Sequence, residues 1–149
     1  MKYRKQSSVI PYRRRKGKIE VLLITSLSIG RLVLPKGTVE PNMKARHSAE
    51  KEAYEEAGVR GILSKTLIGE YNYKKTPQKG GDHCRVKVFA LEVREELDKW
   101  PEMDKRTKIW MSPGKAIKSV KEKKLKKILI SFSETLPRLK NKKSKKAGS

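Results

Sequence analysis

Apolar residues in this chain come in short bursts between charged stretches, and their spacing switches between that of strands and that of helices. The segment Ile19 to Thr25 (IEVLLIT) predicts a strand whose run Val21-Leu22-Leu23-Ile24 is buried on both faces. Ser7 to Tyr12 predicts a first strand, with Pro11 pushing it toward a sheet edge or a strand end. Arg31 to Leu34 reads as a short strand that runs out into a Pro35-Lys36-Gly37 loop. Gly61 to Leu67, Ile68 to Lys74, Arg85 to Arg94 and Thr107 to Met111 complete the strand candidates, with a Pro/Gly-rich hairpin loop over Thr76 to Asp82.

Helical spacing takes over at three places. One helix starts near Met43 or Lys44 and stops before Gly58, which suits a left-handed C-terminal cap. Ala45, Ala49, Ala53 and Ala57 recur along it every four residues, a row of small side chains that lets a helix approach a sheet closely. Ser112 as N-cap and Pro113 at the first position open a short helix to Val120. A longer one runs from Glu122 to Leu136, with Leu125, Ile128, Leu129, Phe132 and Leu136 as its apolar stripe.

At 149 residues the pattern fits a single α/β domain over 1–136, followed by a basic tail over 137–149 with little to bury and expected to be disordered. Charge changes the picture more than length does. A formal net charge of +22 favours a polyanionic partner: a phosphorylated small molecule, nucleic acid met through the basic N-terminus and tail, or an anionic membrane surface. Eight basic and no acidic side chains occupy the first 18 residues. Cys84 is the one cysteine, which rules out an internal disulfide and a cysteine metal cluster and suits a cytoplasmic location. No apolar run reaches the length of a membrane span. His47 and His83 share no metal-ligand spacing with each other or with Cys84.

Against this basic background, Glu52, Glu55 and Glu56 stand at i, i+3 and i+4 on one side of the first helix, behind a loop glycine. Carboxylates grouped this way can hold Mg²⁺, a hard cation that takes oxygen ligands and bound phosphates. Acid to hold metal beside base to hold phosphate is the balance that phosphate chemistry needs.

The stretch Gly37 to Val59 (GTVEPNMKARHSAEKEAYEEAGV) resembles the signature box of the Nudix hydrolases. That box runs Gly, a gap to Glu, a second gap, then Arg-Glu-apolar-x-Glu-Glu-x-Gly-apolar. Gly37, Glu52, Ala53, Glu55, Glu56, Gly58 and Val59 fall on its positions. Met43 stands where the first Glu is expected and Lys51 where the Arg is expected. VLLITSLSIGRLVLPKG, EEAGVRG, LDKWPEMDKRTKIWMSPGKAI with Trp100, Arg106 and Trp110, and SFSETL at 131–136 are similar to the diphosphoinositol polyphosphate phosphohydrolase branch. The likeness covers residues 3–136.

The resemblance implies an α/β/α sandwich around a mixed β-sheet and hydrolysis of phosphoanhydride bonds by metal-activated water attacking phosphorus. It assigns Glu52, Glu55 and Glu56 to Mg²⁺ (with Mn²⁺ as a substitute) and Glu55 to the general base. Carried over residue by residue, it assigns phosphate binding to Arg4, Lys5, Gln6, Lys36, Gly37, Arg85, Arg106 and Lys124, with Gln6 replacing a basic residue of the branch. Candidate substrates are diphosphoinositol polyphosphates and dinucleoside polyphosphates. Two other readings stay open: removal of pyrophosphate from RNA 5′ ends, and a non-catalytic polyanion binder, for which Met43 and Lys51 speak.

Overall fold

The computed structural model describes the backbone of residues 2–147 and the side chains of residues 2–136. The side chains of 137–149, the basic segment expected as a disordered tail, lie outside the described ones, while the helical backbone that begins at Lys123 runs on to Ala147. The strands are β1 (Arg4–Arg15), β2 (Lys18–Thr25), β3 (Leu32–Val33), β4 (Lys36–Thr38), β5 (Val59–Leu63), β6 (Gly69–Lys74), β7 (His83–Glu96) and β8 (Lys108–Met111). The helices are α1 (Ala45–Ala57), α2 (Pro113–Ser119) and α3 (Lys123–Ala147). One mixed sheet runs β3-β2-β1-β7-β5, with β4 paired to β1, β6 to β7 and β8 to β2. Among the described residues no helix is long and apolar enough to cross a membrane.

The sheet separates two hydrophobic cores, as an α/β/α sandwich requires. Along β2, Val21 and Leu23 face the α2–α3 layer while Leu22 and Ile24 face α1. The unbroken apolar run thus reflects burial on both faces. Ala49, Ala53 and Ala57 are fully buried where α1 presses on the sheet. On the other side Leu125, Ile128, Leu129 and Phe132 of α3 pack onto Ile10, Leu23 and Val88. Phe132 is fully buried, and truncating it to Ala would cost about 3–5 kcal/mol.

Two expectations change. Pro11 does not sit at an edge: β1 lies in the middle of the sheet, parallel to β7 on one side. Val9 N donates to Pro35 O on β1's other side, and alternation turns the Pro11 nitrogen the same way. There the pairing with β4 ends at Ser8 and that with β2 begins at Tyr12, so the missing N–H breaks no ladder bond. The Pro35-Lys36-Gly37 stretch is only in part a loop, because Lys36–Thr38 forms β4 against Gln6, Ser7 and Ser8.

Candidate active site

The site grows from the contact between β4 and α1. Gly58 closes α1 in a left-handed conformation (φ 65°), its amide satisfying the carbonyls of Ala53 and Tyr54. The alanine row fixes how closely the helix sits, and this directs Glu52 and Glu56 inward, 9% and 8% exposed. Gly37 makes that possible. A β-carbon there would lie 2.1 Å from Glu52 Oε1. Lys36 donates its backbone N–H to Glu56 Oε1 at 3.1 Å, and Arg106 Nη2 stands 3.5 Å from Glu56 Oε2.

The two buried carboxyls lie close enough to act on each other. Burial raises the Glu56 pKa to about 8, against the pull of Arg106 and the Lys36 amide. Burial likewise pushes Glu52 up, reinforced by the charges of Glu55 and Glu102. A close carboxyl pair that holds on to a proton is short of positive charge. Its oxygens suit a hard divalent cation of the Mg²⁺ kind, which takes one or two carboxylates and keeps several waters for substrate phosphate to replace. Among the described residues no group of three His, Cys, Asp or Glu side chains stands ready as a metal cage. The residues present therefore fit as a two-carboxylate seat.

Glu55 stands apart from the pair. Its side chain is 32% exposed at the rim, 3.8 Å from Lys51 Nζ one turn back. Its carbonyl accepts from Glu102 N at 3.0 Å, part of a strap over residues 97–106 that also ties Leu97 N to Gly58 O at 2.8 Å. Arg106 closes the strap, donating to Glu102 Oε1 (3.1 Å) and Thr25 O (3.0 Å). Three acidic residues, Asp98, Glu102 and Asp104, lie in this strap. Glu102 is the member that reaches the site, and its place four residues before Arg106 was the available signal. Trp100 packs on Gly58 and under Lys108 Nζ, 4.3 Å from the ring centroid. Half-buried Trp110 packs against the core and donates to Glu96 at 3.0 Å.

The phosphate-binding candidates divide between the two faces of the sheet. Facing α3, the Lys36 ammonium donates to Tyr73 Oη at 3.2 Å, which donates to Gln6 Oε1 at 2.7 Å. Burial lowers the Lys36 pKa and, with the neighbouring Cys84, raises that of Tyr73. Lys124 Nζ reaches over to the carbonyl of Asn72. Arg4 pairs with Asp82 at 3.0 Å near the same end. Facing α1, Arg85 donates to Asn72 Oδ1 at 3.2 Å and stands 3.6 Å from Glu70, while Lys5 is exposed. Tyr73, the hub of the α3-side chain, carried no sequence signal because its partners lie far off in the chain. His47 is exposed and Cys84 is buried.

A NUDIX domain profile matches residues 2–134. Nudix hydrolase 16, mitochondrial, of Arabidopsis thaliana is 39% identical over 116 residues, 75% of this chain and 64% of that protein. Diphosphoinositol polyphosphate phosphohydrolase 3-alpha of Homo sapiens is 34% identical over 102 residues, 66% of this chain and 58% of that protein. The chain thus spans about two thirds of the length of the curated relatives it matches. Among solved structures, a C. elegans Ap4A hydrolase in a binary complex superposes with a TM-score of 0.75 at 24% identity, covering 90% of this chain and 98% of that one. At that identity the likeness speaks for the fold alone.

Proposed function

This chain belongs to the Nudix hydrolase family, and from that premise we propose that it hydrolyses phosphoanhydride bonds of a highly phosphorylated small molecule with the help of Mg²⁺. The observation that carries the reading is the buried Glu52–Glu56 pair held against Gly37, with a backbone amide and Arg106 as its cationic surroundings. A polyanion binder has no use for two carboxyls carried into a buried site, where they add no positive charge and cost free energy to desolvate.

Glu52 and Glu56 would hold the cation, and when bound it supplies neutralisation of phosphate charge and a lowered pKa for water. The remaining work falls to the protein's own groups. Glu55, at the rim beside Lys51, accepts the proton of the attacking water at Oε1. The water oxygen forms a bond to phosphorus, the bridging P–O bond breaks, and the leaving phosphate carries away the electron pair. Arg106 steadies Glu56 through its Glu102 and Thr25 contacts, which limits how far that carboxylate can drift. Lys5 and Arg85, on the α1 face with the carboxyl pair, offer positive charge for the phosphates that do not react.

The test is a substrate panel with Mg²⁺: a diphosphoinositol polyphosphate, a diadenosine polyphosphate and triphosphorylated RNA. Phosphate or nucleotide release from one of the first two supports the proposal. Release from RNA alone would replace it with 5′-end processing.

A further inference from the structure

The hairpin between β1 and β2 reaches past the rest of the sheet. Pairing of β1 with β7 stops at Tyr12 and Glu92, and pairing of β2 with β8 starts at Val21 and Met111. Beyond that line, among the described residues, Arg13–Arg15 and Lys18–Glu20 pair only with each other. Residues 13–20 (RRRKGKIE) therefore form a projecting ribbon two strands wide. Its base is pinned. The Arg13 guanidinium lies over Trp110, 4.0 Å from the ring centroid, and donates to Glu20 at 2.9 Å and Glu96 at 3.0 Å. That engages the ribbon's one acid and leaves Arg15, Lys16 and Lys18 exposed at the tip.

The tip is built against local preference. Arg15 and Lys18 stand directly opposite each other across the strands, and like charges in that relation repel. Lys16 and Gly17 between them have φ of 53° and 76°, a turn with both central residues left-handed. Asn or Gly takes the first of those positions at less cost than Lys. Three cations are thus gathered where charge repulsion and backbone strain both oppose them, so the fold itself gives no reason for them.

We propose that this ribbon docks on double-stranded nucleic acid, with Arg15, Lys16 and Lys18 against its phosphate backbone. The surface is separate from the carboxyl pair: Ser7, paired with Gly37, lies eight residues before Arg15, roughly 26 Å along an extended strand. Two features favour a duplex over an anionic lipid surface. A two-stranded ribbon is an element that the major groove of B-form DNA, about 12 Å wide, admits. The tip, residues 15–18 (RKGK), has no apolar side chain to sink into a bilayer, which interfacial segments use alongside charge. The formal net charge of +22 adds long-range attraction to the same partner.

The experiment is fluorescence anisotropy of a labelled, mixed-sequence DNA duplex titrated with the full chain at several salt concentrations. It compares wild type, Lys16→Asn, and a triple variant combining Arg15→Gln, Lys16→Asn and Lys18→Gln. Wild type should bind with an affinity that falls steeply as salt rises. The triple variant should bind more weakly, and its slope of log K against log salt should shrink by about 2.7, three lost phosphate contacts at about 0.9 each. Lys16→Asn should weaken binding while raising Tm, a combination that a lysine kept for folding does not give. A wild type that does not bind the duplex, or a triple variant with wild-type affinity and salt slope, would overturn the proposal. So would ribbon-dependent binding to phosphatidylserine vesicles in place of the duplex, which would make the partner a lipid surface.

Discussion

Gly37 and Glu52 face each other so closely that a β-carbon on Gly37 would lie 2.1 Å from Glu52 Oε1 and 2.2 Å from its carboxyl carbon. The glycine is required by space: its side chain would occupy the volume of the carboxyl. Gly37→Ala should therefore push Glu52 off its seat. A shift of about 1 Å can cost roughly 10²-fold in rate, so kcat should fall by about that factor while circular dichroism stays native. A Gly37→Ala protein of wild-type activity would show that Glu52 has no fixed role.

Gly58 has a comparable relationship with Trp100. An added β-carbon would lie 2.4 Å from the indole at a φ of +65°, so strain and overlap combine. Gly58→Ala should destabilise the protein by about 1–3 kcal/mol and loosen the strap that carries Glu102 and Arg106. Thermal unfolding measures the first effect. Hydrogen exchange at Leu97 and Glu102, whose amides bond to Gly58 O and Glu55 O, measures the second.

Much of this arrangement was legible in the chain. The spacing of alanines and the glycine at 58 located α1, and the four-residue run in β2 announced a strand buried on both faces. The strand β4 was not legible, since Lys36–Thr38 has no periodicity and depends on pairing with β1. Nor was the divergence of the glutamates. At 3.6 residues per turn, Glu52 and Glu56 lie about 40° apart around the helix, whereas Glu55 lies about 100° from Glu56. The sheet surface cuts between those directions, burying one pair and leaving Glu55 at the rim. The split of the basic candidates over both sheet faces was hidden for a similar reason: residue type gives charge, and register gives the side.

Glu55→Gln removes the proposed proton acceptor and leaves the buried pair untouched. Turnover should drop about 10²- to 10⁴-fold with KM nearly unchanged. Steady-state kinetics at saturating Mg²⁺ checks this, and wild-type turnover would move the base elsewhere, with Glu102 the first candidate.

Glu56 gives a pH dependence. Its carboxyl is raised from an ordinary 4.5 to about 8 by burial, so the folded protein holds a proton that the unfolded chain releases. The stabilisation is full below 4.5 and is lost as pH rises through about 8. In metal-free protein the Tm difference between wild type and Glu56→Gln should therefore change across that window, with wild type losing ground as pH rises. Divalent cation should bind with proton release over the same range. A Tm difference that is flat with pH would mean that Glu56 is already ionised.

The central claim is that the Glu52–Glu56 pair seats the cation on which anhydride hydrolysis depends. Its most direct test is the initial rate of phosphate release from the best substrate of the panel, measured against Mg²⁺ concentration for wild type and for Glu56→Gln. The account predicts Mg²⁺-dependent release by wild type and, in a folded Glu56→Gln protein, a rate lower by orders of magnitude that more Mg²⁺ restores only in part. Release that is indifferent to Mg²⁺, or equally fast in Glu56→Gln, would contradict it.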